Sequence, residues 1–270
     1  MKPEPDAWPA DVLTTRLTAR DLTLAYGDRV VSTALNIDIP DGAFTAIVGA
    51  NACGKSTLLK AFVRLLTPTS GSVLFDDREV TDYKPKAIAR EIGFLPQGLV
   101  VPENISVRQL VARGRFAHQS LLSGWSGDDE RAVRDALSAA GIADLAERQV
   151  DNLSGGQRQR AWVAMVLAQE TSYLLLDEPT TFLDITHQYE LLRLLAHLRD
   201  RGRTVIAVLH DINQACRFAD HLVAMKDGRI VAEGPPAQIV DSTLMDNVFD
   251  LPSIVVPDPV TGTPMVVPTT

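Results

Sequence analysis

Cysteine is scarce in this chain: Cys53 and Cys216 are the only two in 270 residues. So few, so far apart, they exclude a disulfide framework and a cysteine-built structural zinc site, and they fit a reducing cytosol. Long apolar runs are missing too. No stretch approaches the roughly 20 apolar residues of a membrane span, and the opening "MKPEPDAWPADV" lacks the apolar core of a secretory signal. If the protein works at a membrane, other chains do the crossing. Positive charge is in deficit, with 26 basic against 34 acidic residues, a net charge of −8 and a pI of about 5.1. That leaves no electrostatic footprint for nucleic acid. Internal repeats are not evident, and no N-K-x-D guanine-reading motif is present, which speaks against a GTPase-type switch.

What is present is enough for a sizeable core. With 46% hydrophobic residues and a mean hydropathy of +0.04, the chain can fold as one domain, or one domain carrying a subdomain. Pro3, Pro5 and Pro9 predict a loose tail over residues 1–15, and the proline-bearing, short-strand pattern of residues 241–270 predicts a C-terminal extension. Between them, over residues 16–240, "LTARDLTLAY" and "VVSTALNIDI" alternate like antiparallel strands, and "GSVLFDD" follows the first helix as another. From about residue 98 to 157 the pattern turns helical, with Val107, Leu110 and Val111, then Ala132, Val133, Ala136, Leu137 and Ala140, closed by Gly141. This is a helical insertion. Elsewhere "FTAIVG", "IGFLPQ", "YLLLDE" and "TVIAVLH" are near-continuous apolar runs, the mark of a parallel sheet covered on both faces. The fold class is therefore α/β, with an antiparallel β subdomain and a helical subdomain around a parallel core.

The chemistry begins at "GANACGKSTLLK", residues 49–60. The bare pattern G-x-x-x-x-G-K-[ST] arises by composition about once in a hundred such chains, so context has to decide. Here a strand precedes the loop, and Leu58, Leu59, Phe62, Val63 and Leu66 follow at helical spacing. Strand, loop and helix is the setting in which backbone N–H groups and a helix N-terminus face a phosphate chain. Lys55 then reaches the terminal phosphates and Ser56 can ligate Mg²⁺. The nucleotide-contacting set in this loop is Gly49, Asn51, Cys53, Gly54, Lys55, Ser56 and Thr57, with the Cys53 thiol structural or, being near a helix N-terminus, reactive. Ligands of parallel sheets lie at the carboxyl ends of the strands, and there the chain places Gln97, Asp177, Glu178 and His210. Asp177 suits the Mg²⁺ shell and Glu178 the attacking water. Gln97 suits either, though it is a common loop residue, and a strand-end histidine such as His210 is often only a satisfied hydrogen-bonder. "NLSGGQRQR" adds a hydroxyl and two glycines at a second helix start, either a plain cap by Ser154 or a second anion site that invites pairing with another copy.

Taken together, "GANACGKST", "FLPQ", "LSGGQ", "YLLLDEP" and "VLHD", in this order, resemble the ATPase subunit of an ABC transporter from about Leu17 to Gly234. The resemblance implies a P-loop NTPase, RecA-like core and a helical signature subdomain. It implies ATP and Mg²⁺ as cofactors, and a head-to-tail dimer in which Ser154, Gly155, Gly156 and Gln157 of one copy cap the ATP of the other. It further implies that Tyr26 stacks on adenine, that Asp177 and Glu178 complete the Walker B segment, that "TTFLD" through Asp184 is the D-loop, and that His210 is the switch histidine. Ser56, Gln97 and Asp177 would serve the metal. Ala52 departs from the usual glycine of this loop: a left-handed backbone there costs about 1–2 kcal/mol, a negative φ almost nothing. "ARGRFAHQSLLSGW", "TTFLDITHQYELLRLL" and "DPVTGTPMVVP" resemble the ATPases of ferric-siderophore importers of the ferric-enterobactin type, with haem and cobalamin importers as near relatives. A soluble ABC ATPase of DNA repair or iron–sulfur assembly is a more distant alternative. The implied partners are a second copy, a polytopic permease and, indirectly, a substrate-binding protein, with the chain peripheral on the cytoplasmic face of the membrane.

Overall fold

The computed structural model describes residues 14–98, 104–119 and 124–269. The chain opens with a hairpin, β1 (Leu17–Tyr26) and β2 (Arg29–Ile39), then runs through β3 (Phe44–Gly49) into α1 (Lys55–Phe62) and returns as β4 (Ser70–Phe75) and β5 (Arg78–Glu79). Helix α2 (Pro85–Glu91) leads to β6 (Ile92–Leu95), and the helical segment follows as α3 (Val107–Ala112), α4 (Gly127–Ala139) and α5 (Gly155–Leu167). The second half alternates: β7 (Tyr173–Asp177), α6 (Ile185–Asp200), β8 (Thr204–Val208), α7 (Ile212–Phe218), β9 (His221–Lys226). It closes with β10 (Arg229–Gly234), α8 (Pro236–Ile239), α9 (Ser242–Phe249), β11 (Ser253–Pro257) and β12 (Pro264–Pro268).

The antiparallel sheet has the order β2-β1-β4-β5 and the main sheet the order β10-β9-β3-β8-β7-β6, parallel except where β10 pairs with β9. Every residue of β3, β7 and β8 is buried, as strands covered on both faces must be. The twofold alternation of side chains along β7 divides the core. Tyr173 and Leu175 join Phe62, Phe75 and Leu22 under the antiparallel sheet, while Leu174 and Leu176 join Trp162, Val166 and Leu192 on the helical side.

Because β3, β6, β7 and β8 run parallel, Gly49, Gln97, Asp177 with Glu178, and His210 leave the sheet at one edge. The helical segment keeps its turns in place by repeated capping: Ser106, Ser126 and Ser154 each accept from the backbone three residues on, and the residue there bonds back.

The segment after residue 240 packs onto the larger core. Leu244, Met245 and Val248 of α9 and Val266 of β12 are buried in it. Helix α9 stands where the proline content had pointed to short strands. Asp241 caps it, and the prolines of this segment, from Pro252 onward, all come after it. Strand β12 is held to α7 by the Asn213 side chain, which donates to the Val266 carbonyl at 3.1 Å and accepts from the Val266 amide at 2.7 Å.

Candidate functional site

The loop after β3 owes its shape to backbone angles that side chains resist. Gly49 has φ 150° and Gly54 φ 108°, and a β-carbon on Gly49 would sit 2.1 Å from the Met225 carbonyl oxygen. Ala52 has φ 61°, which resolves the alternative posed by its sequence: the β-carbon sits in the left-handed region, at a cost of about 1–2 kcal/mol. Helix α1 starts with no side-chain cap and no acidic residue in its first turn, so its leading N–H groups and positive dipole end face the loop interior. Lys55 is 5% exposed, its Nζ donating to the carbonyls of Gly49 at 2.9 Å and Ala50 at 2.8 Å. The ammonium group is folded into the space that the loop encloses. Cys53 is also buried, and its Sγ lies 3.7 Å from the same Nζ.

Across the loop lies the acidic pair. Asp177 is 1% exposed; its Oδ1 accepts the Ser56 hydroxyl at 2.8 Å, while Oδ2 is buried with no partner among the described residues. Burial pushes its carboxyl above the usual carboxylate range and the Glu178 charge adds to that, against the Ser56 bond, the Lys60 charge and the Gln97 backbone amide. A buried carboxylate oxygen without a donor, next to a serine hydroxyl, is the donor set a hard divalent cation takes. These residues fit Mg²⁺.

Glu178 leaves β7 with φ 53°, a conformation uncommon for a residue other than glycine. Its carboxylate is held from both sides. Oε1 lies 2.8 Å from His210 Nε2, and Oε2 accepts from Gln97 Nε2 at 2.7 Å and, at 3.4 Å, from the Thr181 hydroxyl. Three strand ends thus meet at one carboxylate.

A cleft of about 840 Å³ opens in front of these groups, large enough for a nucleotide. Its lining includes Tyr26, Asn51, Cys53, Gly54, Lys55, Ser56, Thr57, Gln97, Glu178 and His210, all singled out from the sequence. Arg29 and Val31 line it as well and were missed, as was Thr181 beside Glu178. The signal for Arg29 was available: the two-residue turn at Gly27 and Asp28 pairs Arg29 directly with Tyr26.

Ser154, Gly155, Gly156, Gln157 and Asp184 do not line that cleft. They form a second cluster. Ser154 Oγ accepts the Gln157 amide at 3.3 Å and Gln157 Oε1 accepts the Ser154 amide at 3.1 Å, a reciprocal cap at the start of α5. Gly155 and Gly156 pass close to Phe182 and Leu183, and Asp184 caps α6 through the His187 amide at 2.9 Å. Ser154 and Gly155 are exposed, so this helix start faces outward.

Residues 32–181 match the ABC transporter family. The chain is 54% identical to the ferric enterobactin transport ATP-binding protein FepC of Escherichia coli (strain K12), over 94% of each protein. It is 51% identical to the "Probable siderophore transport system ATP-binding protein YusV" of Bacillus subtilis (strain 168), over 93% of this chain and 92% of that one. The solved dimer of the ATP-binding cassette MJ0796, bound to ADP and Pi in a post-hydrolysis state, is similar with a TM-score of 0.73 at 29% identity, covering 81% of this chain and 98% of that one. A phosphate-enclosing loop, a carboxylate held between two strand ends and an outward-facing "LSGGQ" agree with that likeness in sequence and fold: the chain belongs to the ABC transporter family, as an ATP-binding subunit that hydrolyses ATP.

Proposed function

We propose that this ATPase energises the import of ferric siderophores through a separate membrane permease, acting as a head-to-tail pair of copies. The observation that carries the catalytic part is the bracketing of Glu178 between Gln97 and His210 at the mouth of the phosphate loop. In this reading Tyr26, exposed at the cleft rim, stacks on the base. The amides of residues 49–57 hold the phosphates, with Gly49, Asn51, Cys53, Gly54 and Thr57 serving through the backbone path of the loop. Lys55 turns from the Gly49 and Ala50 carbonyls onto the β and γ phosphates. Ser56, Gln97 and Asp177 would hold Mg²⁺, which when bound neutralises charge developing on the phosphates. Glu178 orients the attacking water and takes its proton, and His210 keeps the Glu178 carboxylate aimed at it. Ser154, Gly155, Gly156 and Gln157 of the second copy close over the nucleotide.

Among the described residues no helix is long and apolar enough to cross a membrane, so cargo contact falls to the partner chains. The permease docks, in this reading, between Gln97 and the signature segment, with the chain peripheral on the cytoplasmic face. Phe116 is 67% and Trp125 47% exposed there, while Arg115 turns inward onto Asp129. Residues 99–103 and 120–123 of that surface lie outside the described residues. The ferric-siderophore cargo rests on the relatives at 54% and 51% identity. It is tested by uptake of labelled ferric siderophore, haem and cobalamin in a strain lacking this protein. Loss of ferric-siderophore uptake alone is expected; loss of haem or cobalamin uptake with ferric-siderophore uptake intact overturns the cargo and leaves the ATPase mechanism standing.

A further inference from the structure

Between the outward-facing start of α5 and the loop before α6 runs a chain of side chains that the mechanism above does not use. Asp184 Oδ1 takes two bonds from one residue, the His187 amide at 2.9 Å and His187 Nδ1 at 2.7 Å. The other imidazole nitrogen, Nε2, lies 3.1 Å from Arg160 Nη2. A guanidinium only donates, so Nε2 has to accept and the imidazole proton has to sit on Nδ1, where it donates to Asp184. The order of donors and acceptors is therefore fixed from Arg160 through His187 to Asp184. It resembles the way a carboxylate and a second partner set the tautomer of a metal-bound or catalytic histidine.

Two features give the chain a direction. Both bonds to Asp184 use Oδ1, so Oδ2 makes no hydrogen bond among the described residues, and the side chain is 64% exposed. Arg160 belongs to the signature helix α5, which is also tied to the same loop where Gln159 Nε2 donates to the Pro179 carbonyl at 3.0 Å. On the far side Gln188 donates to the Leu183 carbonyl at 3.1 Å. The His187 amide, with the imidazole adding, holds the Asp184 carboxyl below the usual carboxylate range, so it is a charged acceptor.

We infer that His187 is a positioning residue: it locks the Asp184 carboxylate to the signature helix through Arg160, so that Oδ2 and the "LSGGQ" amides meet the second copy as one rigid surface. The inference rests on the two-copy reading, because a carboxylate held by the backbone amide alone would have to be ordered further each time the pair closed. The occupant of Oδ2 is a donor of the facing copy, not a group of this chain.

The test uses the full-length chain carrying Glu178→Gln, with ATP-driven dimerisation followed by sedimentation velocity. His187→Ala, which keeps the backbone amide bond to Asp184 but loses the imidazole one, is expected to weaken the dimer about tenfold, the loss of one hydrogen bond to a charged group, while ATP affinity of the single chain changes by less than about twofold. His187→Asn, whose amide nitrogen takes the place of Nδ1 and can still donate to Asp184, is expected to recover most of the dimer. His187→Gln, which can accept from Arg160 but reaches past Asp184, is not. In the chain that keeps its native Glu178, the same Ala variant lowers kcat and leaves the KM for ATP in place. A dimer of parental strength in His187→Ala overturns the inference, as does an Asn variant no better than Ala. If Ala unfolds, the Asn and Gln pair still decides. If the Glu178→Gln parent itself forms no dimer with ATP, the two-copy reading fails and the inference falls with it.

Discussion

The loop at residues 49–57 and the "LSGGQ" stretch at residues 153–157 are built alike and left in opposite states. Each puts glycines and a hydroxyl at a helix start, with backbone N–H groups available for an anion. The first is enclosed by its own chain, with Lys55 buried in it, Asp177 bonded to Ser56, and Glu178 bridging Gln97 and His210. The second has, among the described residues, its own cap and the neighbouring loop, and it faces outward. On the reading proposed above, a single copy holds a phosphate site that is finished on the binding side and open on the capping side, so that binding is a property of one chain and hydrolysis needs two.

The largest break is expected at Glu178. Replacing it by Gln preserves shape and the Gln97 contact but removes the proposed base, so kcat for ATP hydrolysis should fall by about 10²–10⁴, with ATP binding retained. Steady-state hydrolysis beside equilibrium nucleotide binding checks it. Lys55→Ala attacks the enclosed side itself. Loss of its bonds to charged phosphates should weaken ATP binding by about 10- to 100-fold, read by fluorescence titration of the isolated chain.

Asp177 sharpens the contrast between stability and function. Its folded-state carboxyl titrates above the ordinary value of 3.8, so its charge destabilises the nucleotide-free fold at all pH above that raised value. The penalty disappears as pH falls through the raised value towards 3.8. Asp177→Asn, which still accepts from Ser56, should therefore raise Tm without nucleotide at neutral pH. That advantage should shrink on acidification through the same window, while Mg²⁺-dependent hydrolysis is lost. Thermal melts of both proteins across that range decide it. The smallest effect belongs to Ala52→Gly: relief of the left-handed strain of about 1–2 kcal/mol, less the extra chain entropy of glycine, leaves a net gain of about 1 kcal/mol in urea unfolding. An unchanged or lower stability would mean that the Ala52 methyl packs usefully in the loop.

How much of this was legible beforehand follows from what each signal encodes. Covered parallel strands announce themselves by continuous apolar runs, so β3, β6, β7 and β8, and the residues gathered at their carboxyl ends, could be read directly. The two-residue turn in "YGDR" carries the signal that sets Arg29 opposite Tyr26, a pairing the hairpin register shows. The backbone of Ala52 could be posed only as an alternative, because sequence does not give φ at an alanine; the structure places it at 61°. Helix α9 was obscured by prolines that all lie after it, although Asp241 ahead of "STLMDNVF" is an N-cap signal in plain view. His187 went unnoticed because its pairing with Asp184 is a local cap of α6, and its link to Arg160 crosses from α6 to α5, a contact that sequence spacing does not show.

The claim that binding is complete in one chain and hydrolysis is not is tested most directly by mixing two crippled proteins. Lys55→Ala lacks a working phosphate loop but keeps its Ser154 face. Ser154→Arg keeps the loop but has bulk and misplaced charge on the capping side, so it should bind ATP and fail to hydrolyse it. In a head-to-tail mixed pair, the intact loop of one meets the intact Ser154 face of the other. Random pairing of equal amounts makes half the pairs mixed, each with one whole site of two, so hydrolysis should return to about a quarter of the parental rate from two nearly inactive proteins. A mixture no more active than the sum of its parts would contradict the two-copy site and place the whole reaction within a single chain.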